Sequence, residues 1–166
     1  MSAHIISHKA PLASWVPEGR RLVAVDIENL VGGSNTSSWA VGNALAQLRD
    51  IVGTSLHDVW IYACGPDCLR AATGALSATR VLVRGGIDGA DQALLEQLDI
   101  AQVVGRYSSV VLASGDGRAF ASQVRRLAQA GVPTDLVSRH RSTSQELRSF
   151  VRSFTPLTPS SFVLVA

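Results

Sequence analysis

The chain has 166 residues and a formal net charge of +2, and it is 46% hydrophobic and 17% charged. That length suits one domain with a buried core, and the composition excludes disordered and low-complexity classes. No apolar run approaches the roughly 20 residues that cross a bilayer. Met1 to Pro17 has neither a basic leader with an apolar core nor a cleavage site, so a cytoplasmic protein is expected.

Residues 1–19 read as an N-terminal arm, 20–154 as the domain and 155–166 as a tail. Leu22–Val25 is a short apolar run and predicts a buried strand. Val41, Leu45, Leu48 and Val52 recur at helical steps and predict a helix over Trp39–Val52. Val59–Ala63 is a second strand, after which Pro66 opens a short helix near Leu69–Ala72. Arg80–Val83 is a third strand. Ile87, Ala90, Leu94, Leu98 and Ala101 then predict one helix that reaches Val104. Val110–Ala113 is a fourth strand, followed by a helix through Phe120, Val124, Leu127 and Ala128 that Gly131 stops. Val132–Val137 is a fifth strand, and Gln145 to Phe154 is a last helix. Thr155–Ser161 reads as a linker, and Phe162–Val165 as either an added edge strand or a frayed end. Continuous apolar strands alternating with helices predict a three-layer α/β/α fold, doubly wound on a mainly parallel five-stranded sheet. Ligands of such sheets bind beyond the carboxyl ends of the strands.

Acids stand at those ends. Asp26 closes the first strand, Asp88 and Asp91 follow the third through Gly85-Gly86, and Ser114-Gly115-Asp116-Gly117 follows the fourth. Each has a local explanation. Asp116 caps the next helix, Asp88 caps its own with Asp91 favoured by the dipole, and Asn29 shapes a turn. Together, however, they bring like charges to one sheet edge, which is unfavourable unless a proton or a cation intervenes. Mg²⁺ or Mn²⁺, hard ions that take oxygen ligands, suit such a set. Asp88 and Asp91 are three apart and share a helix face.

Val25-Asp26-Ile27-Glu28-Asn29 resembles the first motif of NYN domains, members of the PIN-like nuclease superfamily. Ala90-Asp91-Gln92-Ala93-Leu94 resembles the central motif, and Ser114-Gly115-Asp116-Gly117 with Phe120 the third. The resemblance spans residues 20 to 154. It implies a PIN-like, Rossmannoid fold and a metal-dependent ribonuclease in which Asp26, Asp91 and Asp116 bind Mg²⁺ or Mn²⁺. Asn29 and Ser114 would support them, and Asp88 is the alternative second acid. Two departures stand out. Arg118 occupies a place where the family often has a second acid, and Phe120 is displaced by one residue. Arg118 either leaves a weakened, even non-catalytic, RNA-binding site or clamps a phosphate.

For phosphodiester hydrolysis Asp26 and Asp116 are the expected metal ligands, and Asp91 holds metal or orients the attacking water. Asn29 steadies Asp26 or reaches a substrate oxygen. Ser114, Arg84, Arg118 and Arg125 are the expected substrate contacts. From Arg118 onward seven arginines face only Asp135 and Glu146, a skew that suits backbone contacts to RNA. A GC-rich genome produces the same arginine bias, and a solvated helix face explains the cluster equally well. A membrane partner is not expected, and a homodimer is an open option. Trp39 and Tyr62 either stack on bases or, more ordinarily, pack. His57 and His140 stand alone. Cys64 and Cys68 lack zinc-ribbon or thioredoxin spacing and read as reduced structural thiols. Gly32-Gly33-Ser34-Asn35 lacks a P-loop lysine, which disfavours a nucleotide cofactor. The rival classes are a catalytically weak RNA-binding or scaffold domain and a phosphatase or receiver-type domain. Asp26 lacks a DxD context and no strand-end lysine is present, which disfavours the last of these.

Overall fold

Strands of three to six residues form one sheet in the computed structural model, which describes residues 19–77, 79–139 and 143–158. The order along the chain is β1 (Arg21–Asp26), α1 (Ile27–Val31), α2 (Ser38–Val52), β2 (Val59–Cys64) and, after a 3₁₀ turn at Pro66–Cys68, α3 (Leu69–Ala75). Then come β3 (Val81–Val83), α4 (Gly89–Gln97), α5 (Ile100–Val103), β4 (Ser109–Ala113), α6 (Gly117–Gln129), β5 (Thr134–Arg139), α7 (Gln145–Arg148) and β6 (Ser153–Leu157). The expected arm, but for Gly19, and the Phe162–Val165 segment lie outside the described residues, as do His140 and Arg141.

All pairings are parallel, and the strand order is β3-β2-β1-β4-β5-β6. The chain winds outward from β1 to β3, then returns to lay β4 on the other side of β1. The direction of winding therefore switches between β1 and β4, where crossover loops leave the edge open to a ligand.

The sheet has six strands, not the expected five. Ser153–Leu157 pairs with β5 from Asp135↔Ser153 to Arg139↔Leu157, where a helix end and a linker were expected. Leu147, Phe150, Val151 and Phe154 are spaced like a helix, but α7 ends at Arg148. The Arg152 N–H donates to the Thr134 carbonyl instead, and sheet pairing begins there. Pro156 is tolerated because β6 is an edge strand. β6 also runs across the expected domain boundary at residue 154.

The single helix expected from Ile87 to Val104 is two. The Asp99 carboxylate accepts the Ala101 N–H and starts α5 anew, an alternative that short acids offer a backbone. Ile87, expected on the apolar stripe, is 89% exposed in the loop before α4. A short helix, α1, also follows β1 directly where only a turn was expected.

Side-chain alternation along the strands builds the layers. Leu22 and Ala24 of β1 pack with Leu94, Leu98, Phe120 and Leu127 on the face covered by α4 and α6. Val23 and Val25 pack with Ile27, Leu30, Val41, Leu45 and Leu48 under α1 and α2. Tyr62 belongs to this second core at 2% exposure, so its ring is a packing group. Among the described residues no helix is long and apolar enough to cross a membrane.

Candidate functional site

Alternation decides where Asp26 points. It follows Leu22 and Ala24 by even steps, so its side chain leaves the sheet on the α4 face, where Asp91 occupies the first turn of that helix. Both carboxyls are buried, and Asp91 lies within hydrogen-bonding reach of Asp26. Gly89, which opens α4, lies so close to the Arg84 carbonyl oxygen that a Cβ there would collide with it.

The exits of β1 and β4 are tied together by side chains. Asp26 accepts the Asn29 N–H at 3.1 Å and the Ser114 hydroxyl at 3.2 Å. That hydroxyl oxygen accepts the Asp116 N–H at 3.3 Å. Asn29 Oδ1 accepts the Gly115 N–H at 2.8 Å, so Asn29 braces the two loops against each other. Asp116 caps α6 as expected, its Oδ1 accepting the N–H groups of Arg118 and Ala119. Asp88 does not cap. It stands at the N-cap position of α4 with φ 57, in the left-handed region, and its side chain makes no capping bond. Asp is one of the few residues that tolerate this backbone.

These groups share one cavity of about 600 Å³, lined by Asp26, Asp88, Asp91 and Asp116 together with Glu28 and Asn29. Burial pushes the Asp91 carboxyl up to about 7, helped by the negative charges of Asp26, Asp116 and Asp88. Asp26 is raised as well, chiefly by burial and against the hydrogen bonds from Asn29 and Ser114. Both carboxyls are thus biased toward the protonated form. As a free carboxylate, Asp91 has in Oδ1 a buried acceptor without a donor among the described residues. A proton or a small cation between the two acids meets that demand.

The donor set is all oxygen, as Mg²⁺ or Mn²⁺ requires. Among the described residues no three His, Cys, Asp or Glu side chains stand close enough together to form a complete ligand set. The acids brought within reach of each other are the Asp26–Asp91 pair, and Asp116 lines the same cavity.

The arginines divide. Arg84 lines the cavity while pairing with Glu96 at 2.6 Å. Arg118 is exposed and lines an adjoining shallow cleft with Asn29, Asp116 and Ser144. Arg125 is not brought to the site; its guanidinium sits 5.9 Å over the Phe150 ring. Two lining residues were not expected. Glu28, inside the first motif, accepts the Gly65 N–H at 3.1 Å. Arg139 ends β5 and donates to the Val31 carbonyl at 2.7 Å, crossing Gly32, whose φ of 90 and lack of a Cβ leave it room. Its position as the last residue of a strand was the available signal. Cys64 and Cys68 are free and buried, and burial pushes the Cys64 thiol up to about 12, which keeps it protonated and inert.

No family model and no curated protein matches the chain. Among solved structures it is similar to the crystal structure of a protein of unknown function from Vibrio parahaemolyticus. The two are 15% identical over 84% of this chain and 93% of that one, with a TM-score of 0.51. That likeness concerns the fold, a parallel sheet flanked by helices.

Proposed function

We propose that the chain is a PIN-like domain of the NYN type and a Mg²⁺- or Mn²⁺-dependent ribonuclease, with its site at the β1/β4 switch point. One observation carries this reading: two buried acids from distant parts of the chain, Asp26 and Asp91, meet inside a cavity that other carboxylates also face. Packing alone gives no reason to bury such a pair, and perturbed carboxyls in a cavity are what catalysis uses. The NYN-like motifs supply RNA as the substrate. A divalent ion, when bound, would lower the pKa of water and offset charge on the phosphate.

The residues divide the remaining work. Asp26 and Asp91 would hold the ion. Asp91 alternatively would orient the attacking water. Ser114 and Asn29 fix Asp26 and the β4 exit, as positioning residues. Arg84 and Arg139 bring positive charge to the rim for phosphate oxygens.

The test is cleavage of a mixed RNA pool at millimolar Mn²⁺. Wild type is expected to cut faster as pH rises from about 6 to about 8, because the Asp91 proton competes with the ion. Asp26→Asn and Asp91→Asn should each lose at least about 100-fold while still binding RNA. Unchanged cutting by Asp91→Asn would end the proposal. A second reading, an RNA-binding domain that does not cut, draws on Asp116, whose Oδ1 is already engaged by the α6 amides, and on Arg118 two residues later. RNA binding without cleavage in the same assay would select it.

A further inference from the structure

Asn29 and Asp116 line both the acidic cavity and the adjoining cleft of about 340 Å³, so the two spaces are neighbours at the exit of β4. Their walls are opposite in kind. The cavity presents the carboxylates of Asp26, Glu28, Asp88 and Asp91. The cleft presents donors. Asn29 Oδ1 accepts the Gly115 N–H, which leaves the side-chain NH₂ to donate elsewhere. Ser144 Oγ accepts the Leu147 N–H at 3.5 Å and keeps its own hydroxyl proton to give. The Arg118 guanidinium makes no hydrogen bond or ion pair among the described residues. Asp116 is the one acid among the described residues of the cleft wall, and its Oδ1 already accepts two amides.

Other arginines of this half of the chain serve the fold. Arg125 and Arg148 lie over the Phe150 and Phe154 rings, Arg126 donates to Gln123, and Arg152 pairs with Asp135. On the cavity rim Arg84 pairs with Glu96, and Arg139 donates to the Val31 carbonyl. Arg118 has no such task. Hydration alone accounts for an exposed arginine, but it gives no reason for an amide and a hydroxyl to converge on the same concave surface. The end of α6 is not the source of the donors, since the Arg118 and Ala119 amides are taken by Asp116. A planar fork beside two neutral donors matches the two non-bridging oxygens of a phosphodiester.

We propose that this cleft is a second phosphate subsite, in which Arg118, Asn29 and Ser144 hold the phosphate next to the reacting one on an RNA strand. The proposal rests on the nuclease reading for the identity of the strand. It adds a substrate class, a chain with at least two consecutive phosphodiesters, and a path, out of the acidic cavity along the exit of β4. An acidic wall repels every phosphate that no cation meets, so the next phosphate needs a cation of its own. A contact of this kind positions the strand and reads no base.

The experiment measures anisotropy of a labelled oligouridylate of roughly ten nucleotides in the Asp91→Asn background, with Mn²⁺ present, from about 50 to about 200 mM NaCl. Arg118→Ala should weaken binding by about 5- to 50-fold at the lowest salt. It should also flatten the slope of log K against log salt by about 0.7, the share of one phosphate. Arg118→Lys keeps the charge without the fork, so its slope should match the parent while its affinity falls less than that of Arg118→Ala. On a strand with the same bases and an uncharged backbone, Arg118→Ala and its parent should bind alike. Equal affinity and slope for Arg118→Ala and its parent on the oligouridylate overturn the subsite. So does an equal loss on the uncharged strand, or a parent that does not bind the oligouridylate. Hydrolysis is read separately, with the otherwise wild-type chain. There Arg118→Ala should raise KM by a factor similar to its binding loss and lower kcat by less than about 3-fold. A loss confined to kcat would put Arg118 on the reacting phosphate and overturn the second subsite. An Arg118-dependent grip on RNA that wild type never cuts keeps the subsite and removes the nuclease.

Discussion

The two edges of the sheet carry the same residue type in opposite states. At the amino edge, where β1, β5 and β6 begin, each acid has its own arginine. Asp58 accepts two bonds from Arg21, at 2.9 and 2.6 Å, and one from the Ser55 N–H at 2.9 Å. Asp135 takes a forked pair from Arg152 and a bond from the Ser153 hydroxyl. Both carboxyls are held below the usual range by these partners, against the opposing effect of their burial. At the carboxyl edge Asp26 and Asp91 face each other instead, and both are raised. An acid that serves the fold is placed beside a cation supplied by the chain. Acids left to repel one another lower stability, and that arrangement persists where it serves a ligand.

The sharpest way to break this contrast is the pH dependence of stability. Asp91 titrates at about 7 in the folded chain but near 3.9 when unfolded. The folded state therefore binds more protons between those values, and stability falls as pH rises through that window. Asp91→Asn should remove most of this slope and be more stable than wild type at pH 8, read as urea midpoints at about pH 5 and pH 8. Coincident slopes for the two proteins would show that Asp91 is not raised. Asp58 and Asp135 have the opposite sign: their contribution is present above the unfolded value and is lost only as pH falls below about 4.

A smaller effect is expected from the amino edge itself. Arg21→Ala removes the partner of Asp58, whose side chain is wholly buried, and also the bonds to the carbonyls of Val52 and Gly53. The cost should be about 2–3 kcal/mol in urea unfolding, because a buried carboxylate loses its cation. RNA cleavage per folded molecule should not change. A loss of cleavage would mean that the edges are coupled and the division of roles is wrong.

The smallest effect belongs to Arg152→Ala. Its partner Asp135 is partly exposed and Arg152 itself is more than half exposed, so water and salt screen the pair. The loss should be below about 1 kcal/mol and should shrink further in 0.5 M NaCl, where the Debye length falls to about 4 Å. A larger, salt-insensitive loss would place Arg152 with Arg21 as a structural anchor.

Much of the fold was legible because burial leaves a period in the sequence. Strands covered on both faces are continuous apolar runs, and β1, β2, β4 and β5 were found within a residue or two of their ends. β6 was not legible, since Ser153-Phe154-Thr155-Pro156-Leu157 mixes polar, apolar and proline residues in the manner of an edge. α5 and the break before it were hidden for a different reason. Leu94, Leu98 and Ala101 keep a helical spacing across a gap that one Asp99 capping bond opens.

The same division holds for the site. Acids at strand exits are a local pattern, visible residue by residue, and so were the glycine turns that carry them. Which acids meet depends on the face each side chain leaves from and on the helix laid across that face. Asp26 and Asp91 are 65 positions apart in the chain, and only the packing of α4 against β1 brings them together. Arg125 was expected at the substrate and Arg139 was not, yet the first went to the Phe150 ring and the second to the cavity rim. Local chemistry and hydrophobic period are properties of neighbouring residues, so the sequence alone determined the strand exits and their charges. Proximity between distant groups is a property of the winding order, so the tertiary structure alone decided which of those charges became a site.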